Sequence, residues 1–375
     1  MPQATGNPRY RMDSLHARSL ENNPIGSPVE RRLHVYLPPD YYEKPQNRYP
    51  VVYFLHGYDG NYRKATVFTT TDDREKLSAV YTAKIVDALE LERLPSYAKF
   101  DAYITSGRLK PFIFVQPDGS LHVPQINNLI DFSTGQPATK GSYYMNSPHT
   151  GNFEDYIIKD VISYVDASYR TVAERGHRAL AGGSMGGYGT LRLSLAHPDM
   201  FTAAAALSPS NRSPQSAFYQ MVIPLMETLL GRAAAEKSGA LVSGDIVDTI
   251  DMIYSNDRRL LPTVKRVADG IITGCDPVAL ENWRRNDLNT LIEQAAKPYK
   301  DVSLLINCAD NDDFGFLAEA ERLHATLLRR GVKHEYTIYH DPMIAPSPHI
   351  FGIATSVVTA VEFCQRRLGP VQSRA

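Results

Sequence analysis

The sequence predicts an α/β protein with a mostly parallel central sheet and helices on both of its faces. Short apolar runs such as "YPVVYFLHG" and "PFIFVQPDG" are typical of strands that are buried on both sides. Apolar residues at helical spacing occupy segments between such runs, for example residues 156–169. Strand and helix alternate along the chain, which favours a parallel sheet because each parallel strand pair needs a crossover connection.

Seven strands are predicted. The first stops at a Pro-Pro pair and the second ends in a glycine turn. Helices are predicted over residues 156–169, from 187 to a stop at Pro198, and over residues 317–330 and 351–368. The strands, in chain order, are "ERRLHVYLPPD", "YPVVYFLHGYDGN", "PFIFVQPDG", "HRALAGG", "FTAAAALSPS", "VSLLINCAD" and "HEYTIYHD".

Two connections are too long for a minimal fold of this kind. Residues 63–109 form a mostly helical connection, and residues 211–288 carry helical patches such as "MVIPLMETLL". Connections of this length need structure of their own. We therefore predict a core built from residues 1–210 and 289–375, with residues 211–288 forming a helical cap or lid over one end of the sheet. The alternative is an insertion packed away from any site.

Composition and charge exclude several classes of protein. The formal net charge of −1 points to neither nucleic acid nor an anionic membrane as a partner. No apolar run approaches the roughly 18 residues that a membrane helix needs. The N-terminal segment lacks the apolar core of a secretion signal, so we expect a cytoplasmic protein. Cys275, Cys308 and Cys364 are expected to be reduced core thiols, with no disulfide, metal or cofactor, and a homo-oligomer is left open.

The stretch "RALAGGSMGGYGTL" contains Gly182, Ser184 and Gly186 in the pattern G-x-S-x-G. A predicted strand precedes it and a predicted helix follows, which is the context of a nucleophile elbow over residues 182–186. Such a turn exposes the serine hydroxyl at the start of the helix, where the backbone N–H of Met185 can stabilise an oxyanion. The alternative is a glycine-rich turn that only allows close packing.

A serine nucleophile needs a base and an orienting acid, which follow it in this architecture in the order acid, then histidine. The loop after "VSLLINC" offers Asp310, Asp312 and Asp313. We favour Asp312, because it is far enough beyond the strand to turn back toward the serine. Of two histidine candidates, His340 belongs to a strand end and His349 to a proline-rich loop that can reach the serine, so we favour His349.

The oxyanion hole needs a second backbone donor from the loop after the predicted strand "YPVVYFL". That loop reads "HGYDG", and the N–H of Tyr58 is our candidate. A plain glycine turn is the alternative. His56 lies on this side of the site and is expected to be structural.

The sequence resembles the esterase family of α/β-hydrolases that includes esterase D, feruloyl and acetylxylan esterases, enterochelin-type esterases and mycolyltransferases. The matching stretches include "VYLPPDYYEKPQNRYPVVYFLHGYDGN", "SYYMNSPHTGNFEDYIIKDVISYVDASYRT", "AGGSMGGYGTL" and "CADNDDFGFLAEAERLHATLLRRGVKHEYTIY". The resemblance implies an α/β-hydrolase fold and assigns Ser184, Asp312 and His349 as the triad, with Tyr58 in the oxyanion loop. The sequence departs from the family at "APSPH", where relatives commonly carry a glycine pair before the histidine. It also departs over residues 211–256, a region that is longer than in compact members of the family.

The resemblance also implies roles around the site. Glu154, in "GNFEDY", is expected to brace the loop beneath it, and the aromatic residues Tyr143, Tyr144 and Phe153 to line it for substrate binding. For these aromatic residues core packing is the alternative.

The function expected from these residues is hydrolysis of a small carboxylic (acyl or aryl) ester through an acyl-enzyme intermediate. The alternatives are an acyltransferase on the same triad, an S-formylglutathione thioester hydrolase and a non-catalytic binding module.

Overall fold

The computed structural model describes residues 8–58, 96–121, 130–131, 136–137, 140–211, 250, 252–255, 264–266, 272–275, 277–341 and 348–373. These residues form an eight-stranded central sheet. Its strands are β1 (Tyr10–His16), β2 (Glu30–Tyr36), β3 (Val51–Leu55), β4 (Ile113–Pro117), β5 (Arg178–Gly183), β6 (Ala203–Leu207), β7 (Ser303–Ala309) and β8 (His334–Tyr339).

The strands lie in the order β1-β2-β4-β3-β5-β6-β7-β8. β2 pairs antiparallel with both β1 and β4, and the strands from β4 to β8 are parallel to one another. The predicted fold class is therefore confirmed, and each predicted strand is present. β1 was not predicted, because "YRMDSLH" carries polar residues at most positions.

Helices flank the sheet, and seven of them in the described ranges are labelled here. They are α1 (Ser96–Thr105), α2 (residues 153–168), α3 (Met185–Ala196), α4 (Pro277–Asn286), α5 (Leu288–Gln294), α6 (Phe316–Arg329) and α7 (Pro348–Gln365). The middle of α2, Tyr156–Val161, is a π-helix, and short 3-10 turns lie at Arg18–Leu20 and Arg175–His177. None of the helices in these ranges is long and apolar enough to cross a membrane.

The central strands are apolar throughout because both of their faces are covered. Val51, Tyr53 and Leu55 of β3 enter one hydrophobic core, whereas Val52 and Phe54 enter the other. This alternation follows from the two-residue period of a strand. Side chains of α2, α3 and α6 belong to the first core, and those of α1 and α7 to the second.

Several described residues of the 211–288 segment pack into the first core, namely Ile250, Ile253, Tyr254, Trp283 and Leu288. Tyr254 contacts Trp283 of α4, with ring centroids 5.8 Å apart, and also Tyr188 of α3 and Tyr143. The Tyr188 hydroxyl donates to the carbonyl of Asn286 at 2.7 Å. An antiparallel ribbon, Val264–Arg266 with Ile272–Cys275, lies in this segment where only helix was expected.

The predicted cap itself is not described. Residues 212–249, which carry "MVIPLMETLL", lie outside the described residues, as do residues 59–95 of the earlier long connection. The position of a cap over one end of the sheet therefore stays a prediction.

Short two-stranded ladders complete the described chain. They are Asn47–Arg48 with Gln372–Ser373, Ser120–Leu121 with Lys140–Gly141, Ile130–Asp131 with Gln136–Pro137, and Asn146–Ser147 with Gly151–Asn152.

Two glycines allow β3, β5 and α3 to approach one another closely. A Cβ atom on Gly186 would overlap the carbonyl oxygen of Leu55, and one on Gly182 would overlap the carbonyl of Gly186. Each overlap is with backbone, which cannot rotate away. The glycines on either side of Ser184 are therefore required by packing.

We expect Gly186→Ala to lower the free energy of unfolding by about 1–3 kcal/mol, because the added methyl group overpacks the turn. Urea denaturation measures this change. Gly176→Ala is the control, since a Cβ there has no heavy atom within 4 Å, and it should change stability by less than about 0.5 kcal/mol. Equal stabilities of the two variants would contradict the close packing.

Candidate active site

Ser184 lies between the end of β5 and the start of α3 in a strained backbone conformation, with φ 56° and ψ −118°. Non-glycine residues rarely adopt positive φ, and those that do cluster at functional sites. Its N–H donates to the carbonyl of Leu207 at 2.9 Å, and its carbonyl accepts from Ser210 N–H at 2.9 Å. These bonds hold the turn against the end of the neighbouring strand β6.

Asp312 and His349 form a buried pair. Asp312 Oδ2 accepts from His349 Nδ1 at 2.7 Å, and the two side chains are 0% and 3% exposed. Burial alone raises the pKa of Asp312, but the charge and hydrogen bond of His349, the Ser208 hydroxyl and the Phe314 N–H together lower it below its usual value. Asp312 is therefore ionised near neutral pH.

The rejected candidates have other partners. Asp310 and His340 also form a pair at 2.8 Å, but their side chains are 46% and 68% exposed. Asp313 Oδ1 accepts from the backbone N–H of His349 at 2.9 Å. Two consecutive aspartates thus hold the same histidine, Asp312 by its ring and Asp313 by its backbone.

The His349 ring is fixed by two phenylalanines as well. Phe314 stacks on it with centroids 4.5 Å apart and an interplanar angle of 15°, and Phe316 meets it edge-on at 4.9 Å. Asp312 Oδ1 accepts from the N–H of Phe314 at 3.0 Å. The segment after β7 therefore supplies the carboxylate and both aromatic contacts.

Two connections join Ser184 to this pair. Ile353, one turn after His349 in α7, packs on Gly183 so closely that a Cβ on Gly183 would overlap its Cγ2 atom. Ser208 follows Leu207, the acceptor of the Ser184 N–H. Its hydroxyl donates to Cys308 Sγ at 3.5 Å and is one of the groups that lower the pKa of Asp312. The three predicted side chains thus lie at the carboxyl end of the parallel strands, with Asp312 and His349 in direct contact.

The two predicted oxyanion residues lie on either side of Gly141. A Cβ on Gly141 would overlap Met185 Sδ and would lie 3.0 Å from Tyr58 Cα. Met185 is the first residue of α3, so its N–H is one of those without an acceptor inside the helix. Tyr58 and Met185 thus pack against the same glycine, and their role in an oxyanion hole stays a prediction.

Tyr143 and Tyr144 follow Gly141 closely, and both have φ of 53°. The Tyr143 hydroxyl lies 3.3 Å from Ser210 Oγ, and its ring lies 6.1 Å from that of Tyr58. Tyr144 packs beneath the oxyanion loop, where its hydroxyl donates to the His56 carbonyl at 3.1 Å. Both side chains are fully buried, so a role in substrate binding stays a prediction.

Phe153 and Glu154 lie farther from Ser184. Phe153 packs in the core against the guanidinium of Arg31. A Glu154 carboxylate oxygen lies 2.8 Å from His197 Nε2. Burial raises the pKa of Glu154, but His197 and Arg192 together outweigh burial, so the pKa is lowered. His197 caps the far end of α3, about 18 Å along the helix from Ser184. Their predicted roles at the site remain untested.

Sequence reasoning missed Ser208 and Asp313 as supports of the site. Ser208 is 1% exposed and has φ of 41°, a conformation that a serine rarely adopts. The only sequence signal is the position of "SPS" directly after a buried strand, at the same sheet edge as Ser184.

Residues 27–349 match the protein family described as "Putative esterase". The chain belongs to this family. The resemblance predicted from the sequence is therefore confirmed.

Solved structures of similar shape show the fold. The chain is similar to a ferulic acid esterase (TM-score 0.59, 17% identity, 96% of this chain and 98% of that one). It is also similar to an S-formylglutathione hydrolase from Agrobacterium tumefaciens (TM-score 0.53, 17% identity, 96% and 95%). The fold is that of the α/β-hydrolases.

Curated relatives match in part. An endo-1,4-beta-xylanase/feruloyl esterase of Xylanibacter ruminicola is 27% identical over 184 residues, which is 48% of this chain and 20% of the relative. An esterase of Mycobacterium tuberculosis is 31% identical over 105 residues, 28% of this chain and 19% of the relative. The matches thus span about a fifth of these relatives' lengths.

We expect Asp312→Asn to be less stable than the wild type at pH 7 by about 1.5–3 kcal/mol, the contribution of hydrogen bonds to a charged group. Because the folded pKa of Asp312 is lowered, this contribution is present above the ordinary Asp pKa of about 4 and is lost as the pH falls through the folded pKa. The two proteins should therefore converge in stability toward acid pH.

Urea denaturation between pH 7 and pH 3 checks this. Asp310→Asn, at an exposed carboxylate, is the matched control and should differ little from the wild type at any pH. A gap between Asp312→Asn and the wild type that does not change with pH would contradict the assignment of the charge to Asp312.

Proposed function

We propose that the protein is a serine carboxylesterase that hydrolyses small carboxylic esters through an acyl-enzyme intermediate. The observation that carries the proposal is the buried 2.7 Å hydrogen bond between Asp312 and His349, taken together with the strained turn at Ser184. Membership of the esterase family supports the same reaction. No metal or organic cofactor takes part in it.

The first half of the reaction acylates Ser184. Asp312 accepts a hydrogen bond from the Nδ1–H of His349, which leaves Nε2 unprotonated and able to take the proton of the Ser184 hydroxyl. The serine oxygen attacks the ester carbonyl, and the N–H groups of Tyr58 and Met185 bind the oxyanion. The imidazolium, stabilised by Asp312, then protonates the leaving alcohol.

The second half transfers the acyl group to water. His349 removes a proton from the water as it attacks, and returns it to Ser184 when the acid leaves. If an alcohol took the place of water, the protein would be an acyltransferase. Measuring how the acyl group partitions between water and added alcohols distinguishes a hydrolase from an acyltransferase.

The names of similar proteins guide the choice of substrates. They include a ferulic acid esterase and an S-formylglutathione hydrolase, so aryl esters and thioesters belong in the first activity profile beside short acyl esters. A cytoplasmic location, a homo-oligomer and a cap formed by residues 211–288 remain proposals.

We expect Ser184→Ala to lose at least about 10⁵-fold in kcat toward p-nitrophenyl acetate, because a triad serine acts as a unit with its base. A fluorophosphonate probe should label the wild type at Ser184 and leave this variant unlabelled. Ser194→Ala is the control, since Ser194 bonds only within α3. Labelling of Ser184→Ala at the wild-type rate would contradict the assignment of Ser184 as the nucleophile.

The two Asp–His pairs provide a matched comparison. We expect His349→Ala and Asp312→Asn to lose about 10⁴-fold or more in kcat, whereas His340→Ala and Asp310→Asn keep activity within about twofold. The pairs have nearly equal contact distances and differ in burial and position. Loss of activity in the exposed pair alone would reassign the acid and the base.

A further inference from the structure

His56, at the end of β3, occupies a single protonation state that its two ring partners define. Its Nδ1 lies 2.8 Å from the carbonyl oxygen of Gly57, which can only accept, and its Nε2 lies 2.9 Å from the N–H of Gly119, which can only donate. The ring is therefore neutral, with its proton on Nδ1. Its side chain is 3% exposed, and the Asp118 carboxylate lies 3.9 Å from Nε2, beyond hydrogen-bond distance.

The first of these bonds fixes a peptide plane. In a trans peptide the carbonyl and the following N–H point in opposite directions. Because His56 holds the carbonyl of Gly57, the N–H of Tyr58 points away from the His56 ring. Tyr58 is the residue whose N–H the proposed mechanism uses for the oxyanion.

The second bond attaches His56 to a rigid neighbour. The Gly119 carbonyl accepts from Ser142 N–H at 3.3 Å and from the Ser142 hydroxyl. In the preceding residue, Asp118, the backbone carbonyl accepts a hydrogen bond from the Arg31 guanidinium at 3.0 Å, and the carboxylate accepts one from the Ser120 N–H at 3.0 Å. The histidine therefore connects the oxyanion loop to a buried polar network.

The other side of the loop is fixed by α3 and Tyr144. The His56 carbonyl accepts from the Tyr144 hydroxyl at 3.1 Å and lies 2.9 Å from where a Cβ on Gly186 would be. These contacts hold the His56 carbonyl, whereas the next carbonyl, that of Gly57, has the His56 ring as its partner.

We propose that His56 is a positioning residue that orients the Tyr58 N–H toward the oxyanion. It acts through the Gly57 carbonyl and does not touch the substrate. This inference rests on the proposed esterase function. A displacement of about 1 Å in a catalytic group can cost about 100-fold in rate.

The test compares two substitutions of His56. His56→Leu removes the donor and keeps most of the volume, whereas the amide nitrogen of His56→Asn takes the place of Nδ1 and can still donate to Gly57. We expect His56→Leu to lose about 100-fold in kcat toward p-nitrophenyl acetate with KM within about threefold. His56→Asn should recover kcat to within about tenfold of the wild type.

A trifluoromethyl ketone inhibitor distinguishes positioning of the oxyanion donor from a purely structural role. Its adduct with Ser184 carries an oxyanion, so its affinity depends on the orientation of the Tyr58 N–H. Its dissociation constant should rise by a factor similar to the loss in kcat. His177→Leu is the control: His177 is also buried, but it precedes β5 at the opposite end of the strand from Ser184. It should lower stability and leave kcat and inhibitor affinity unchanged.

Folded His56→Leu with wild-type kcat and inhibitor affinity would overturn the inference, and so would a loss confined to KM. If His56→Leu does not fold, His56→Gln replaces it, since its longer amide reaches toward Gly119, and the same losses are expected. An inactive wild type that the fluorophosphonate probe does not label would instead refute the proposed function.

Discussion

The hydrogen bond from the Ser184 N–H to the Leu207 carbonyl is the constraint on which the site depends. It holds a serine at positive φ, a conformation that costs of the order of 1–3 kcal/mol. The return bond from Ser210 N–H to the Ser184 carbonyl closes the turn from the other side. Between these two anchors lies Ser208, whose N–H donates to the Asn307 carbonyl at 2.7 Å and whose hydroxyl helps to lower the pKa of Asp312.

A buried carboxylate is tolerated here because its oxygens are satisfied. An unpaired charge in this environment would be strongly destabilising. Asp312 has the His349 ring on one oxygen and the Phe314 N–H on the other, and the neighbouring Asp313 fixes the backbone of the same histidine. A short segment after β7, residues 312–316, therefore supplies the contacts that hold the His349 ring and its backbone N–H.

The sequence predicts the parallel sheet well because strands buried on both faces must be apolar. β1 lies at the sheet edge and was not predicted, because most of its residues are polar. Asp312 and His349 are predicted from the order of loops at one end of the sheet, because His349 follows a proline-rich loop whereas His340 belongs to a strand end. The contacts of Ser208, Asp313 and Glu154 could not be predicted. They join residues far apart in the chain, and no local pattern marks them.

The rings of Tyr58, Tyr143, Tyr254 and Trp283 form a continuous series of edge-to-face and tilted contacts from the oxyanion loop to α4. Each contact of this kind contributes about 0.5–1.5 kcal/mol beyond the area it buries. A substitution at Tyr254 or Trp283 therefore changes the packing that supports the loop at Tyr58, although these residues lie about 200 positions later in the chain.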